Sequence, residues 1–388
     1  MEIGKVGTSL ITTDTIPVSR PELLNNFVKL GILSALAGYK KQDRVFVNGR
    51  FSPGVDIGRL GRFMSYVVNH PAAPKHFDFQ LTQNRQKGKE ALVGNDLCYD
   101  IILSFSGGID STAGLLYCLD NNLSVLPLWI DFDQRNKVSE MQAAQRILAR
   151  LGMRNNQMNL SVGFGDFILK GWEDWSFIVP ARNFIFIALA EALFFNSSKG
   201  KGTIYLCANR EEMRKWKHRD KSAYFFRTAS SFFKSDSGKN IVVTSPFREY
   251  SKTEILYWWK NHWEKKYGIS PYDTSTCYYN SGACGRCRAC FRRTVSLLCA
   301  GYDADRNLEH HPLTDPVGLI KNEWIPEIRA GKISREGRLD FYIALEKTLD
   351  LVPRYLTEFY KQLPSRTKSA ITRRKAEITA VELKEPRS

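Results

Sequence analysis

The sequence lacks any apolar run long enough to span a bilayer. Its most apolar stretch, residues 184–195, falls short of the roughly 20 residues that a spanning helix needs, and Glu191 interrupts it. Residues 1–16 also lack the apolar core that a secretory signal peptide carries behind its basic residues. We therefore expect a cytoplasmic protein with no membrane partner. Its eight cysteines should stay reduced, so a cluster of them indicates a metal rather than disulfides.

Acidic residues are scarce relative to basic ones, with 40 Asp and Glu against 56 Lys and Arg and a net charge of +16. This excess favours anionic partners, namely nucleotides, nucleic acid or an anionic membrane surface, and a basic surface that only aids solubility is the alternative. Internal repeats are absent too. Apolar residues at 43% and charged residues at 25% are ordinary for a globular protein.

The order of polar and apolar segments divides the chain. Residues 84–95 are polar and punctuated by glycine, which predicts a linker. Before it, a helical pattern covers residues 21–39, and the apolar run 45–47 meets Asn48-Gly49, a favoured two-residue turn that predicts a β-hairpin. We therefore expect an N-terminal extension of mixed α and β structure over residues 1–97.

After the linker, segments of strand length alternate with segments of helical periodicity. Strand-like runs and helical patterns occur in turn at residues 99–105, 111–119, 124–130, 138–151, 182–195, 204–208, 241–243 and 252–263. Such alternation predicts an α/β fold in which a parallel sheet carries helices on both faces.

Beyond Asp303 the strand signal fades. Residues 341–360 form a helical pattern that Pro353 interrupts. The tail from Arg366 holds seven basic residues against three glutamates, which predicts a solvated or frayed end. We expect a mostly helical C-terminal extension with a basic tail over residues 303–388, which leaves residues 98–302 as the central domain.

A glycine-containing turn follows the first strand of this central domain. Residues 101–105 run directly into S-G-G-I-D-S-T, residues 106–112, and then into a helix. Two glycines let backbone N–H groups approach an anion, and the helix N-terminus adds its partial positive charge. The turn is not a Walker A loop, since G-x-x-x-x-G-K-[ST] is absent. A capped glycine turn without a ligand is the alternative.

The side chains of this turn suit a phosphate site. Ser111 and Thr112 fall in the first helical turn, where a hydroxyl reaches a phosphate oxygen. Asp110 would repel an unshielded phosphate, so either Mg²⁺ lies between them or the carboxylate caps the helix. The S-G-G-x-D-S-T pattern resembles the signature of the PP-loop pyrophosphatases, which cleave ATP to AMP and pyrophosphate while adenylating a substrate.

Four cysteines follow about 170 residues later as C-x6-C-G-R-C-x2-C, namely Cys277, Cys284, Cys287 and Cys290. The short spacing lets thiolates converge on one tetrahedral ion, and Gly285 permits the tight turn between them. Four sulfurs close the coordination shell, which favours a structural zinc. An iron–sulfur cluster and unligated thiols are the alternatives. The remaining cysteines lie in strand or helix patterns and are expected in the core: Cys98, Cys118, Cys207 and Cys299.

The phosphate loop and the cysteine cluster, in this order, resemble the 7-cyano-7-deazaguanine synthase family of queuosine biosynthesis. The resemblance covers residues 99–302. Segments between the two motifs agree with it. Residues 130–135 resemble the family's F-D-Y-G-Q-R, residues 179–183 match V-P-A-R-N, and residues 251–255 match S-K-x-E-I.

The resemblance implies an adenine nucleotide alpha-hydrolase-like fold and a PP-loop ATP pyrophosphatase domain with a four-cysteine zinc knuckle over residues 98–302. It also implies an ATP-dependent ligase. ATP would adenylate the carboxylate of 7-carboxy-7-deazaguanine, ammonia would displace AMP to give an amide, and a second ATP would convert the amide to the nitrile. ATP, Mg²⁺ and Zn²⁺ are the implied cofactors, and the substrate and ammonia are the implied partners.

The resemblance assigns roles to single residues as well. Catalysis is expected of Asp110, Ser111 and Arg182. Nucleotide binding is expected of Ser106, Gly107, Gly108, Asp110, Ser111, Thr112, Asp131 and Gln134. Substrate binding is expected of Arg182, Asn183, Asn209 and Asp220. For Arg182 an ion pair at a helix start is the alternative, and for Lys252 and Glu254 a helix turn capped by Ser251 explains both without catalysis.

The sequence departs from the family pattern in three places. Asn136 stands where the family commonly has a histidine. Residues 208–212 replace G-x-N-x-x-D, and residues 217–222 replace S-G-Y-P-D-C-R, so that only Asp220 matches and the Cys-Arg pair is missing. Because this segment belongs to the acceptor pocket, the use of ATP is a firmer expectation than the identity of the acceptor.

Three functions therefore stay open. The first is the synthase itself, and the second is a diverged relative that couples a deazaguanine acid to another amine in a modification or defence cassette. The third is a nucleic-acid-binding module without catalysis, in which Arg286, Arg288, Arg292 and Arg293 contact phosphates. No fused glutaminase is apparent, so free ammonia or a partner would supply nitrogen. A homodimer is a further possible partner state.

Overall fold

The computed structural model describes residues 4–6, 9–11, 26–40, 44–49, 54–68, 78–83, 99–154, 156–162, 181–195, 200–214, 219–279, 283–304 and 308–383. The linker predicted at residues 84–95 and the expected core residue Cys98 lie outside these ranges. Within them, every helix is too short or too polar to serve as a membrane span.

Nine strands occur in two sheets among the described residues. The strands are β1 Gly4–Val6, β2 Ser9–Ile11, β3 Arg44–Gly49, β4 Asp78–Gln83, β5 Ile101–Ser104, β6 Val125–Asp131, β7 Met158–Ser161, β8 Lys201–Tyr205 and β9 Asn240–Thr244. The second sheet has the order β7-β6-β5-β8-β9, and all its pairs are parallel. The predicted parallel α/β sheet is therefore confirmed.

Helices cover this sheet and continue beyond it. They are α1 Asn26–Lys40, α2 Ile57–Val68, α3 Ile109–Asp120, α4 Lys137–Arg150, α5 Arg182–Phe195, α6 Arg210–Arg214, α7 Ala223–Ser237, α8 Lys252–Trp258, α9 Glu264–Tyr267, α10 Arg288–Cys299, α11 Ile325–Arg329, α12 Arg335–Glu346, α13 Arg354–Lys361 and α14 Ser365–Thr379. Short 3₁₀ turns lie at Arg219–Lys221, Pro271–Asp273 and Pro312–Thr314, and π-helical turns lie at Trp259–Trp263 and Ile320–Trp324.

The parallel strands are apolar on both faces because each face packs against helices. In β5, Ile102 belongs to one buried cluster with residues of α5 and α7, whereas Ile101 and Leu103 belong to another with residues of α3, α4 and α8. Alternating side chains of one strand thus serve two cores. This arrangement leaves the carboxyl ends of the strands at one edge of the sheet, where loops carry the polar residues.

The N-terminal sheet corrects the predicted hairpin. Asn48 and Gly49 are not a turn: they end β3 and pair in parallel with Thr82 and Gln83 of β4. The strand also pairs with β1 in antiparallel fashion. A parallel neighbour requires a crossover, which α2 provides between β3 and β4. The local turn preference of Asn-Gly is therefore overridden by strand pairing that the sequence pattern did not reveal.

The two N-terminal helices pack on the parallel-sheet region. The ring centroid of Phe27 in α1 lies 6.5 Å from that of Phe184 in α5, and Phe63 in α2 stacks at 5.6 Å on Phe225 in α7. All four side chains belong to a single buried cluster. The proposed domain boundary near residue 97 stays a prediction, but the segments on either side of it share a core.

The C-terminal helices form a third buried cluster around Phe291, Trp324 and Phe341. The predicted interruption at Pro353 is confirmed, because α12 ends at Glu346 and Pro353 immediately precedes α13. Of the two states predicted for the tail, solvated or frayed, the frayed one is wrong for residues 366–379. These residues belong to α14, and Arg374 in that helix is 0% exposed. A high count of basic residues did not reveal that one of them neutralises buried carboxylates.

Candidate active site at the phosphate loop

The phosphate loop, residues 106–112, connects β5 to α3 at the carboxyl edge of the parallel sheet. The chain passes from β5 to β6 and β7 on one side, and later to β8 and β9 on the other. The carboxyl ends of β5 and β8 therefore form the topological switch point, where open α/β sheets bind ligands.

Glycine is required in this loop for two reasons. Gly107 has φ +70°, and a Cβ atom there would lie 2.5 Å from the backbone nitrogen of Ala144 in α4. The carbonyl oxygen of Gly107 also accepts a hydrogen bond of 2.9 Å from the backbone N–H of Ser275. The loop is thus held between α4 and the segment that leads into the cysteine cluster.

The start of α3 leaves its N-terminal N–H groups without a side-chain cap. Gly108 is the N-cap residue, and no side chain caps it among the described residues. The hydroxyl of Ser111 donates to the carbonyl oxygen of Gly108 at 3.1 Å and lies 3.3 Å from the hydroxyl of Ser106. Uncapped N–H groups beside two hydroxyls form an arrangement suited to an anion.

Asp110 does not cap the helix, so the capping role left open for it is wrong. Its Oδ2 atom lies 2.9 Å from Nζ of Lys252, and its Oδ1 atom is buried without a hydrogen-bond partner in the described part of the chain. One carboxylate oxygen is thus occupied by a cation, and the other is available to a ligand.

Lys252 reaches the loop from the first turn of α8. That turn is closed by a capping box, in which the Ser251 hydroxyl accepts from the N–H of Glu254 and the Glu254 carboxylate accepts from the N–H of Ser251. The capping interpretation is therefore confirmed for Ser251 and Glu254. For Lys252 it is incomplete, because the side chain of this residue points to Asp110 and lines the cleft.

A cleft opens beside the loop between the ends of β5, β6 and β8. Apolar walls come from β6 and α5, including Trp129, Phe132 and Phe186. The predicted residues that line this cleft are Ser106, Gly108, Asp110, Ser111, Gln134, Arg182 and Asn183. Lys221, Lys252 and Glu140 line it too. An apolar slot with cationic and hydroxyl groups at one end suits a planar ring that carries an anionic group.

The other predicted residues lie outside the lining of this cleft as the described residues form it. Thr112 is fully buried in α3, and Gly107 faces α4. Asp131 accepts from Nζ of Lys137 at 3.2 Å. Asn209 accepts from the N–H groups of Glu211 and Glu212 at 3.1 Å and so caps α6. Asp220 accepts a hydrogen bond from Asn183, which lines the cleft.

Gln134 supports the cleft through internal hydrogen bonds. Its carbonyl oxygen accepts from the N–H of Phe132 at 2.8 Å, and its amide donates to Glu140 at 3.1 Å. Burial raises the pKa of Glu140, although the nearby Arg182 guanidinium opposes the shift. Asn136, which stands where the family has a histidine, donates to Glu140 at 2.9 Å and to the carbonyl oxygen of Cys277 at 3.3 Å.

The segment that departs from the family pattern reaches the cleft through Lys221. Asn183 Nδ2 donates to Asp220 Oδ2 at 2.9 Å, and Lys221 Nζ lies 2.8 Å from Glu212 Oε1. Burial lowers the pKa of Lys221, but the Glu212 carboxylate outweighs burial and raises it overall. Lys221 was not predicted as a site residue, since its only sequence signal was its position within an altered motif.

The N-terminal extension contacts this segment directly. The hydroxyl of Tyr66 in α2 lies 3.0 Å from that of Ser222, which caps α7, and the guanidinium of Arg219 lies 5.2 Å from the Tyr66 ring centroid. The altered segment is therefore held from outside the central domain. No sequence pattern linked Tyr66 to these residues.

The four predicted zinc ligands converge. The Sγ atoms of Cys277, Cys284, Cys287 and Cys290 all lie within 4.8 Å of one another, and all four residues are buried. The Cys284 and Cys290 sulfurs are 3.9 Å apart. A tetrahedral zinc with bonds of about 2.3 Å needs sulfurs about 3.8 Å apart, so the cluster fits one ion.

The turn of this knuckle is shaped by Gly285, which has φ +68° and lies against His310. The nearby arginines are largely engaged within the protein. Arg293 is buried and donates to Thr274 and Pro271, and Arg288 pairs with Glu323 and Glu327. Because these arginines are engaged within the protein, fewer of them are available to contact phosphates than the number of arginines in the sequence predicts.

The fold and the loop together define a class: an α/β protein of the PP-loop fold with an added four-cysteine cluster. The family described as "Queuosine biosynthesis protein QueC" matches residues 100–167 and 170–301, just over half of the chain. The chain belongs to this family. The match includes the phosphate loop and all four clustered cysteines, and it excludes most of both extensions.

Individual relatives agree with this assignment. The 7-cyano-7-deazaguanine synthase of Thiobacillus denitrificans is 29% identical over 227 residues, which are 52% of this chain and 94% of the relative. The 7-cyano-7-deazaguanine synthase of Methanocaldococcus jannaschii is 26% identical over 227 residues, 52% of this chain and 96% of the relative. The 7-cyano-7-deazaguanine synthase 1 of Desulfitobacterium hafniense is 33% identical over 104 residues, 23% of this chain and 47% of the relative.

Proposed function

We propose that this protein is an ATP-dependent ligase. It adenylates the carboxylate of 7-carboxy-7-deazaguanine, releases pyrophosphate, and uses ammonia to form 7-cyano-7-deazaguanine. The observation that carries the proposal is the Asp110–Lys252 pair beside the uncapped start of α3, within a cleft of the matched region. The names of the relatives support the choice of substrate and product.

The loop residues are proposed to hold the triphosphate. Backbone N–H groups at the start of α3 and the hydroxyls of Ser106 and Ser111 donate to phosphate oxygens, and Gly107 and Gly108 let the backbone approach closely. Lys252 supplies a positive charge at the same place. Because these donors are fixed before the reaction, they stabilise charge that develops as pyrophosphate leaves.

Asp110 suits a magnesium ligand. Its Oδ1 atom is buried and without a partner among the described residues, and carboxylate oxygens are ligands that Mg²⁺ prefers. Bound there, the ion would neutralise charge on the phosphates. Among the residues behind the cleft lining, Asp131, Asn209 and Asp220 are proposed to act through the residues that they hold in place.

The acceptor is proposed to lie toward α5. Arg182 offers a cation for the acid or for a phosphate, Asn183 offers amide hydrogen bonds to the base, and Trp129 and Phe186 offer apolar walls for a planar ring. A carboxylate is a poor electrophile, whereas its acyl adenylate carries a good leaving group. Holding the acid next to ATP supplies the proximity that this step needs.

The cysteine cluster is proposed to hold one structural zinc. All four ligand positions are taken by buried cysteines, so no open position is left for a substrate. The cluster lies next to the cleft, because Ser275 and Thr276, which line it, immediately precede Cys277. Zinc would therefore stabilise the fold and, through Ser275, the position of the phosphate loop.

A second candidate is a diverged ligase that couples the activated acid to another amine. Lys221 favours it, because this residue lines the cleft, pairs with Glu212 and stands where the family pattern has the cysteine of Cys-Arg. The acceptor end of the cleft thus carries a different charge arrangement from the one that the family pattern implies.

Mass spectrometry separates these candidates. Purified protein is incubated with ATP, MgCl₂, ammonium chloride and 7-carboxy-7-deazaguanine. We expect the nitrile. An amide as the end product, or turnover only with an added amine, would replace the first candidate by the second. Failure to consume ATP with any of these acceptors would contradict both.

A further inference from the structure

The C-terminal helix α14 carries a buried cation that touches the helix presenting Lys252. Arg374 is 0% exposed. Its Nη2 atom donates to the hydroxyl of Ser251 at 2.8 Å, its Nε atom donates to Asp340 at 2.9 Å, and its Nη1 atom pairs with Glu254. One guanidinium therefore joins α14, α12 and the first turn of α8.

Three of the first four residues of this turn are anchored to the C-terminal helices. Ser251 and Glu254 bond to Arg374, and the hydroxyl of Thr253 donates to Asp340 at 2.6 Å. Lys252 is the fourth residue, and its side chain points the other way, to Asp110 in the phosphate loop. The orientation of Lys252 is thus set by contacts made on the opposite side of α8.

The charges of this cluster are balanced only when Arg374 is present. Two buried carboxylates, Glu254 and Asp340, face Arg374, and Arg210 is the second cation at 2.9 Å from Glu254. Without Arg374, the two negative charges of Glu254 and Asp340 would face a single cation, Arg210. The first turn of α8 would then relax, because its N-cap hydroxyl and its capping carboxylate would each lose a partner.

We propose that Arg374 is a positioning residue for the nucleotide site: through it the C-terminal extension fixes Lys252 against the phosphate loop. Helix α14 lies outside the part of the chain that matches the family, so this brace is an addition to the family's central domain. The inference rests on the proposed use of ATP. Misplacement of a charged group by a fraction of an ångström lowers affinity for a phosphate that it must contact.

A double-mutant cycle tests the proposal by binding rather than by turnover. The probe is the magnesium complex of α,β-methylene-ATP, a non-cleavable analogue, titrated by calorimetry. We expect R374K to weaken binding about tenfold in the wild-type background, because lysine keeps the charge but lacks the donors to hold three partners. In the K252M background, R374K should weaken binding by less than about twofold, because the lysine through which Arg374 acts is absent.

Two further variants complete the test. R373M alters the exposed neighbour of Arg374 on the same helix and should bind the analogue like wild type. T253V removes the hydrogen bond to Asp340 while conserving the shape of the side chain. It should also weaken binding of the analogue. This variant tests the proposal independently if R374K folds poorly. Circular dichroism measures the folded fraction of each variant, and the affinity is calculated for the folded protein.

Two results would overturn the inference: R374K and T253V binding like R373M, or R374K causing the same loss with and without Lys252. Absence of binding by the wild-type protein is a different result. It would contradict the proposed ATP site itself, whatever Arg374 does.

Discussion

Nζ of Lys252 lies 2.9 Å from Oδ2 of Asp110, which joins the start of α8 to the start of α3 across the mouth of the cleft. The two residues are far apart in the sequence, and each stands in the first turn of its helix. If the cleft holds a nucleotide, as we propose, the Lys252 ammonium would contact a phosphate, and the Asp110 carboxylate would bind the accompanying Mg²⁺.

Ser111 should be essential for adenylation. S111A removes a hydroxyl at the start of α3, and we expect formation of AMP to fall by about 100-fold, the loss typical of one preorganised donor. D110A should have at least this effect, because it also leaves Lys252 unpaired. The matched control is S369A, an exposed serine on α14, which should retain full activity. Unimpaired turnover by S111A would remove the loop from the mechanism.

Lys252 should contribute to ATP affinity. K252M deletes a charged hydrogen-bond donor, so KM for ATP should rise about tenfold or more. The control K265M changes an exposed lysine in α9 and should leave KM unchanged. Steady-state kinetics at saturating acid measures the effect. Equal KM values for K252M and K265M would mean that Lys252 only balances Asp110.

The cysteine cluster should bind one zinc per chain. C287S should lose zinc and lower the melting temperature by about 5 °C or more, because metal binding contributes to the free energy of folding. C118A, a buried cysteine outside the cluster, should keep its zinc. Metal analysis by mass spectrometry, together with thermal unfolding, provides both measurements. Iron with sulfide in the wild-type protein would contradict this assignment.

The altered segment should govern the acceptor and not the nucleotide. K221M and D220A remove partners of Glu212 and Asn183, so KM for the acid or the identity of the product should change. KM for ATP should change by less than about threefold. K234M, an exposed lysine of α7, is the control. If both variants kept KM, kcat and product identity, the segment would be a surface feature.

The buried charge cluster makes stability depend on pH. Burial raises the pKa of Glu254, but its bonds to Arg374, Ser251 and Arg210 outweigh burial and hold the pKa below its ordinary value. Its contribution to stability is therefore complete at neutral pH and is lost as pH falls through the lowered pKa.

R374M should cost about 3–5 kcal/mol at pH 8, because Glu254 and Asp340 lose the cation between them. The loss should be smaller at pH 5, where an unpaired buried carboxylate takes up a proton more readily. Urea unfolding at the two pH values, with R373M alongside, measures the difference. A loss that does not vary with pH would mean that packing, not charge, explains the effect.

Local sequence patterns were sufficient to predict those features whose determining contacts lie between residues close together in the sequence. Strand, glycine turn and helix follow one another directly around Gly107, so the phosphate loop was predictable, and the cysteine spacing around Gly285 fixed the metal cluster. The same is true of the capping box at Ser251.

Contacts between distant segments were not predictable. Lys221 pairs with Glu212, and Arg374 with Glu254, across separations that no periodicity encodes. The expected hairpin at Asn48-Gly49 was wrong for the same reason. These residues pair with β4, which follows α2 in the chain. The basic tail showed the limit of composition: the exposed Arg366, Lys368 and Arg373 and the buried Arg374 look alike in a count of charges, although Arg374 contacts the first turn of α8.

The central claim is that ATP is cleaved between its α and β phosphates. Phosphorus NMR of a reaction with ATP, MgCl₂, 7-carboxy-7-deazaguanine and ammonium chloride tests it directly. We expect AMP and pyrophosphate, formed in equal amounts and only when the acid is present. ADP and inorganic phosphate in their place would contradict the account, because a loop built to hold pyrophosphate would then be serving a kinase-type reaction.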